Sequence, residues 1–299
     1  MNIVDSINRL KEEKQAIIIA HYYQPDEIQA IADFVGDSLE MSRVARDSDA
    51  KVIVFCGVDF MAGSAKLLSP QKTVLLPELA ATCPMANMAT PEEVLKLKAK
   101  YPNATVVTYI NSTVAVKTVS DICCTSSNAV KVVNSVESDE IIFLPDKNLG
   151  SYVARFTDKK IILWDGHCCV HNNLTAARVL ETKAKYPNAE FVVHPECLSS
   201  VVNIAAFCGS TSKIIEYIKN SNTKEFIIGT EEGIFYKLRQ NNPDKIFHLA
   251  HKNMRCGNMK KITLQKLYDS LKDEKYKIEF DREIIEKASL PVKRMMEIK

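Results

Sequence analysis

Three of the nine cysteines recur at a fixed distance from a predicted helix start. Cys83, Cys168 and Cys256 are separated by 85 and 88 residues, and each lies seven residues before a threonine. Thiolates bind zinc and iron–sulfur clusters, and three thiolates without a fourth equivalent describe a metal site with one open position. Repeat ancestry alone could preserve the same spacing, so a purely structural role for the three cysteines stays open at this point.

Polar side chains recur in the same register, next to the carboxyl ends of predicted strands. Three sets of equivalent positions are separated by 88 and 85 residues: His21, Tyr109 and His194; Tyr23, Asn111 and Glu196; Ser38, Ser126 and Thr211. The hydroxyl residues of the third set fit helix N-caps as well as an anion site at helix N-termini. Ligands of open α/β sheets bind beyond the carboxyl ends of the strands, so these positions predict a binding site.

The elements that must position these residues come from an internal repeat of about 85 residues. The string KYPNA occurs at 100–104 and again at 185–189, each time between a helix-like stretch and an apolar strand. Alternating helices and apolar strands predict an α/β fold of three homologous αβα sandwich units with parallel sheets, arranged with pseudo-threefold symmetry around a central active site. We expect units over 1–88, 89–173 and 174–258, and a C-terminal tail over 259–299 that packs on the first unit.

One central site would then carry a copy of each repeated position. Its hydroxyls, amides and imidazoles suit a small substrate with carboxylate or phosphate groups, and His171, three residues after Cys168, could reach the same cavity. A [4Fe-4S] cluster with one open iron would act as a Lewis acid; zinc with three protein ligands and a water is the competing interpretation. Glu196, with Tyr23 or a histidine nearby, would move protons. These parts indicate dehydration or condensation of a polycarboxylate.

Composition narrows the class of protein. The 299 residues carry a net charge of +2 with 46% hydrophobic and 25% charged residues, as in ordinary globular proteins. This balance gives no electrostatic reason to expect a nucleic-acid or membrane partner. The first residues lack an apolar signal core, so we expect a cytoplasmic protein, in which five further cysteines are buried thiols: Cys56, Cys123, Cys124, Cys197 and Cys208. Cys169 is the chief rival to Cys168 as a ligand.

Several long motifs closely resemble the quinolinate synthase family over essentially the whole chain. They include AHYYQPDEIQAIADFVGDSLEMSR, GVDFMA, ATCPMANM, YINST, CTSSNAV, PDKNLG, GHCCVH and HPEC. The resemblance implies three homologous α/β domains around a pseudo-threefold axis. It also implies a [4Fe-4S] cluster bound by Cys83, Cys168 and Cys256, with one open iron. The implied reaction condenses iminoaspartate with dihydroxyacetone phosphate, with loss of phosphate and two waters, to give quinolinate for NAD biosynthesis.

The resemblance also assigns substrate-binding positions. These are His21, Tyr23, Ser38, Tyr109, Asn111, Ser126, His171, His194, Glu196 and Thr211. Within this set we expect Glu196, Tyr23, His194 and His21 to be catalytic, with Glu196 coupled to Tyr23 as the acid/base. Iminoaspartate hydrolyses easily, so the resemblance further implies a functional link to an aspartate-oxidising enzyme.

Two other classes of protein remain open from the sequence. One is a zinc enzyme of the hydrolase or aldolase type that uses the same three cysteines. The other is a non-enzymatic iron–sulfur sensor, against which stand the many polar residues in the repeat register and the absence of a DNA-binding motif.

Overall fold

The computed structural model describes residues 2–298, and its strands form three parallel four-stranded sheets. The first sheet contains β1 (Ala16–His21), β2 (Phe34–Gly36), β3 (Val52–Cys56) and β4 (Thr73–Leu75). The second contains β5 (Thr105–Tyr109), β6 (Ile122–Cys124), β7 (Glu140–Leu144) and β8 (Lys160–Leu163). The third contains β9 (Glu190–Val193), β10 (Phe207–Cys208), β11 (Glu225–Gly229) and β12 (Ile246–Leu249). The strand orders are β2-β1-β3-β4, β6-β5-β7-β8 and β10-β9-β11-β12, which confirms an α/β fold of three similar units.

Helices cover the faces of the sheets. In chain order they are α1 (Ile3–Glu13), α2 (Asp26–Ile31), α3 (Ser38–Asp47), α4 (Asp59–Leu68), α5 (Pro91–Lys100), α6 (Val114–Lys117), α7 (Ala129–Ser135), α8 (Lys147–Val153), α9 (Ala176–Lys185), α10 (Ser199–Val202), α11 (Thr211–Asn220), α12 (Ile234–Asn241), α13 (Leu264–Asp273) and α14 (Arg282–Glu297). Short 3₁₀ turns occupy Met85–Met88 and Ala154–Phe156. Within residues 2–298, no helix is both long and apolar enough to cross a bilayer.

The central strands of each sheet are the most deeply buried segments of the chain. All five residues of β3 are buried, and so are four of the five residues in each of β5, β7 and β11. Continuous apolar runs are expected where a parallel sheet has helices on both faces. The edge strands β8 and β12 have no fully buried residue, which explains why their sequences carry a weaker strand signal.

The three repeated threonines begin equivalent helices. The side-chain oxygens of Thr90, Thr175 and Thr263 accept hydrogen bonds from the third backbone N–H of α5, α9 and α13, respectively. These bonds satisfy one of the N–H groups that a helix start leaves without an intrahelical partner. The predicted N-caps are therefore present at all three positions, and each fixes where the chain turns after a candidate ligand cysteine.

The C-terminal tail contacts two units. Helix α13 packs on α1 of the first unit. Helix α14 packs on α4 of the first unit and also on α6 and on β6, a strand of the second sheet. The tail also accepts a backbone hydrogen bond at Tyr276 from Leu76. The sheets lie within 16–75, 105–163 and 190–249. The unit boundaries at 88, 173 and 258 remain a prediction.

Candidate functional site

One cavity is lined by residues from all three units. His21 ends β1, Tyr109 ends β5 and His194 directly follows β9, so the carboxyl ends of three sheets meet there. All of the site residues predicted from the sequence line this cavity: His21, Tyr23, Ser38, Cys83, Tyr109, Asn111, Ser126, Cys168, His171, His194, Glu196, Thr211 and Cys256. Cys169 lines it as well. The repeat register therefore selected residues that are far apart in the sequence but line one cavity, and His171, which is outside the register, lines it too.

The three hydroxyl residues are not N-caps. Ser38 and Thr211 are the first residues of α3 and α11, and the capping side chains are the preceding Asp37 and Ser210. Ser126 lies in the turn before α7, two residues ahead of the N-cap position. The three hydroxyls are therefore not used for capping; they lie at the start of a helical segment, where an anion is favoured, and those of Thr211 and Ser126 contact Tyr23 and His194.

His21 and His194 are held in the same way by their own chain. Nδ1 of His21 accepts a hydrogen bond from the backbone N–H of Tyr23 at 3.1 Å, and Nδ1 of His194 accepts one from Glu196 at 3.3 Å. Burial lowers the pKa of His21 to about 4 and that of His194 to about 3. Both imidazoles are therefore neutral near pH 7, with the proton on Nε2.

A chain of hydrogen bonds links Tyr23 to Glu196. Oη of Tyr23 lies 2.8 Å from Oγ1 of Thr211 and 2.6 Å from Oγ1 of Thr230. The Thr230 hydroxyl lies 2.8 Å from Nε2 of His171, whose Nδ1 lies 2.7 Å from Oε2 of Glu196. An ionised carboxylate only accepts hydrogen bonds, so the hydrogen of His171 is assigned to Nδ1 and its Nε2 accepts from Thr230.

Glu196 is a carboxylate of the cavity wall and is only 3% exposed. Burial acts to raise its pKa, but the imidazoles of His171 and His194 and hydrogen bonds from His171 and Tyr109 lower the pKa below its usual range. Tyr23 and Tyr109 have pKa values raised mainly by burial, so both phenols are protonated at neutral pH. The site thus combines an ionised acceptor at Glu196 with neutral donors at Tyr23 and Tyr109.

The three cysteines selected by the repeat are free thiols on the cavity wall. Burial raises the pKa of each of them, so without a metal they are neutral. Nδ1 of His171 lies 3.2 Å from Sγ of Cys168. Cys168, His171 and Glu196 together form a group whose ligand atoms lie within 4.8 Å of one another and could hold a metal ion. Of the other cysteines, Cys56, Cys123, Cys124 and Cys197 are buried, Cys208 is half-buried and Cys169 is exposed.

Sequence reasoning missed Thr230 and Asp37, which lie in or beside the cavity. Thr230, which completes the chain from Tyr23 to His171, is fully buried. Asp37 lines the cavity and its Oδ2 accepts hydrogen bonds from Ser127 at 2.6 Å and Ser212 at 2.5 Å, which belong to the second and third units. The sequence DSLE signals the capping role of Asp37 but gives no sign of the two serines.

The sequence matches the family described as Quinolinate synthetase A protein over residues 5–297. The chain belongs to this family. It is 54% identical over 295 residues to the quinolinate synthase of Caldicellulosiruptor bescii, a match that covers 98% of this chain and 97% of the relative. It is 52% identical over 296 residues to that of Clostridium perfringens strain 13, with 99% and 98% covered. It is 53% identical over 283 residues to that of Clostridioides difficile, with 94% and 93% covered.

The quinolinate synthetase family is the one that the sequence motifs indicated, so that prediction is confirmed. Membership covers the three units and nearly all of the tail, since the match ends at residue 297. The relatives are named as synthases, which sets aside the non-enzymatic sensor.

Proposed function

We propose that the protein condenses iminoaspartate with dihydroxyacetone phosphate, with loss of phosphate and two waters, to give quinolinate for NAD biosynthesis. The observation that carries this proposal is the pairing of His171 with Glu196 at 2.7 Å on the wall of a cavity that also contains three thiols. The pair supplies acid/base chemistry, and the thiols supply a metal site. Dehydration and condensation can draw on both.

We propose that Cys83, Cys168 and Cys256 hold a [4Fe-4S] cluster. Three thiols from three different units form a soft donor set, which favours iron–sulfur clusters over hard cations. Their raised pKa values mean that binding the cluster releases protons from the thiols. When bound, such a cluster supplies an iron without a protein ligand, which is a Lewis acid for a carboxylate or hydroxyl.

The phosphate and carboxylate groups of the substrates would be bound without strong cations. None of the residues that line the cavity is a lysine or an arginine. We assign anion binding to the hydroxyls of Ser38, Ser126 and Thr211 and to the starts of the ten-residue helices α3 and α11.

Glu196 acts as the base and acid of tautomerisation and dehydration, in contact with Tyr23 through Thr230 and His171. When Glu196 takes the Nδ1 hydrogen of His171, Nε2 takes the hydrogen of the Thr230 hydroxyl, and the Thr230 oxygen takes that of Tyr23; the return transfer runs the opposite way. The Tyr23 hydroxyl at the far end then serves a substrate oxygen. This arrangement separates the group that removes a proton from the one that returns it.

His21, His194, Tyr109 and Asn111 orient the substrate. The neutral imidazoles of His21 and His194 donate through Nε2–H, and that of His194 lies 3.3 Å from the Ser126 hydroxyl. Oδ1 of Asn111 is buried and has no hydrogen-bond partner among residues 2–298. Such an acceptor is costly unless a ligand satisfies it, so we assign it to an N–H or O–H donor of the substrate.

We propose that the reaction takes place in the cytoplasm and depends on an aspartate-oxidising enzyme for iminoaspartate. An open iron–sulfur cluster and nine free thiols both require a reducing compartment. Iminoaspartate does not persist in water, so its source must operate at the same place and time.

The decisive experiment is a quinolinate assay on protein purified without oxygen. Iminoaspartate is generated in the cuvette by an aspartate oxidase, dihydroxyacetone phosphate is added, and quinolinate is measured by mass spectrometry. Quinolinate that appears only with both substrates supports the proposal. Iron-loaded protein that forms none would refute it, and protein that holds zinc without iron would favour the zinc enzyme.

A further inference from the structure

Each candidate ligand cysteine lies in a loop that is attached to the segment after the third strand of its own sheet. The backbone N–H of Asp59 donates to the carbonyl of Ala81 at 2.9 Å, that of Lys147 to Gly166 at 2.8 Å, and that of Glu232 to Met254 at 2.8 Å. The three acceptors lie two residues before Cys83, Cys168 and Cys256. The donors are 88 and 85 residues apart and thus follow the repeat, so the attachment is a device present three times.

A carboxylate makes a second attachment in the second and third units. Oδ2 of Asp146 accepts the backbone N–H of Cys168 at 3.1 Å, while its Oδ1 accepts that of Leu149 at 2.8 Å. Oε1 of Glu231 accepts the backbone N–H of Cys256 at 2.9 Å, while its Oε2 accepts that of Gly233 at 2.7 Å. Both carboxylates are buried, and both use one oxygen for a cysteine and the other for the segment that follows the strand.

The first unit has a looser version of the same attachment. Its position equivalent to Asp146 is Val58, and the acidic residue is the next one, Asp59. Oδ1 of Asp59 accepts the backbone N–H of Phe60 at 2.8 Å. Burial raises the pKa of this carboxyl, and the backbone N–H groups of Phe60 and Cys83 oppose that rise.

The loop before Cys168 approaches its strand so closely that a side chain is excluded. A Cβ atom at residue 166 would collide with the carbonyl oxygen of Pro145, the residue before Asp146. Gly166 is therefore needed for the loop to come within hydrogen-bonding distance of Asp146 and Lys147. In the sequence GHCC, the glycine allows the close approach to Pro145, and the backbone N–H of the first cysteine donates to Asp146.

We propose that Asp146 and Glu231 are positioning residues of the metal centre, which fix the direction of the Cys168 and Cys256 thiols by binding the backbone N–H groups of these two residues. The inference rests on the proposed cluster site. Hydrogen bonds from N–H groups to a carboxylate are about twice as strong as neutral ones, and a carboxylate can accept two of them at once. Groups that hold metal ligands in this way typically change metal affinity about 10–100-fold when they are removed.

The variants Asp146→Asn and Glu231→Gln test this role because an amide has only one oxygen. Each can keep one of its two N–H donors but not both, and its NH₂ group then faces the other donor. Matched controls lie close by in the chain. Asp165 lies three residues before Cys168, and Asp165→Asn changes its exposed carboxylate, which pairs with Lys147. Glu232 is the neighbour of Glu231 and pairs with Arg255, and Glu232→Gln changes this carboxylate.

Two readouts are taken on the whole protein purified without oxygen. The first is the rate at which a ferrous chelator removes iron at neutral pH. We expect Asp146→Asn and Glu231→Gln to lose iron about 10–100-fold faster than the wild type, and both controls to stay within about twofold. An unchanged rate in both variants would overturn the proposal.

The second readout is backbone hydrogen exchange in the peptides that contain Cys168 and Cys256. It reports on the attachment whether or not a cluster is present, so it separates this proposal from the proposed cofactor. Faster exchange confined to the loop attached to the changed residue supports the proposal. Exchange equal to that of the controls contradicts it, even if the wild type contains no iron. Each variant alters only one of the two loops. If one variant does not fold, the other therefore still tests the proposal.

Discussion

The hydroxyl oxygens of Tyr23 and Thr230 lie 2.6 Å apart, and both groups are buried. Thr230 comes from the end of the third sheet and Tyr23 from the end of the first, so the contact joins two units at the cavity. It is also the link through which Tyr23 communicates with His171 and Glu196. A tyrosine and a carboxylate that do not touch can therefore act as one acid/base system.

Replacing Thr230 with valine should break this link while keeping the volume of the side chain. We expect Thr230→Val to lower kcat by roughly 10²-fold, a value at the low end for positioned proton transfer, with iron content unchanged. Thr230→Ser keeps the hydroxyl and should restore most of the rate. Steady-state quinolinate formation by the two variants measures the difference. Equal activity of the valine and serine variants would show that Thr230 only packs.

Glu196→Gln should abolish turnover and leave the metal centre in place. The amide cannot accept a proton, although its oxygen can still accept the hydrogen bond from His171. We expect a loss of kcat of about 10³-fold or more, with iron and sulfide content equal to the wild type. Glu181→Gln, an exposed change on α9, is the matched control. An active Glu196→Gln variant would remove Glu196 from the mechanism.

Acid should destabilise the protein as soon as the pH falls below about 6.5. In the unfolded chain His21 and His194 take up protons near their ordinary pKa of 6.5, whereas in the folded chain the pKa values are about 4 and about 3. The folded state thus binds fewer protons in this window, so stability is complete above pH 6.5 and is lost as the pH falls towards 4 and 3. The loss should be about 2 kcal/mol per histidine by pH 5.

The measurement is the melting temperature between pH 7.5 and pH 5 for the wild type and His194→Asn. The variant lacks one of the two titrating groups and should show a shallower decline than the wild type over the same interval. Parallel curves for the two proteins would mean that His194 does not contribute the expected pH dependence.

Asp37 should stabilise the assembly of the three units. Its Oδ2 accepts hydroxyl groups from Ser127 of the second unit and Ser212 of the third. Hydrogen bonds to a charged group contribute about 1.5–3 kcal/mol each, so Asp37→Ala should lower the free energy of unfolding by about 3 kcal/mol. Because Ser126 and Thr211 adjoin these serines, KM for dihydroxyacetone phosphate should rise as well.

Thermal unfolding and KM are compared with those of Asp49→Asn, a change at an exposed position. A melting temperature of Asp37→Ala equal to that of this control would show that the contacts between units do not depend on Asp37.

The core of the fold was predictable because its strands are buried on both faces. The apolar runs TVVTY, EIIFL and EFIIG predict strands, and they form β5, β7 and β11 with the same bounds. The edge strands escaped detection, because β10 has two residues and β2 has three. Strands of this length are set by pairing with a neighbour, and their own sequence carries too little periodicity to reveal them.

The site was predictable to the extent that it repeats. The three cysteines and the three polar triplets could be found by register, and all of them line the cavity. Thr230 could not be found in this way, because its equivalents are Gly57 and Pro145. Asp146 and Glu231 share a register position, but the first unit has Val58 there, which broke the pattern. Contacts between units likewise leave no periodic trace in the sequence.

The most direct test of the account is the iron and sulfide content of protein purified without oxygen, for the wild type and for Cys83→Ala, Cys168→Ala, Cys169→Ala and Cys256→Ala. The account predicts about four iron and four sulfide per chain in the wild type and in Cys169→Ala, and loss of both in the other three variants. A cluster that survives Cys256→Ala, or a wild type that binds zinc without iron, would contradict the assignment of one metal centre to three repeated cysteines.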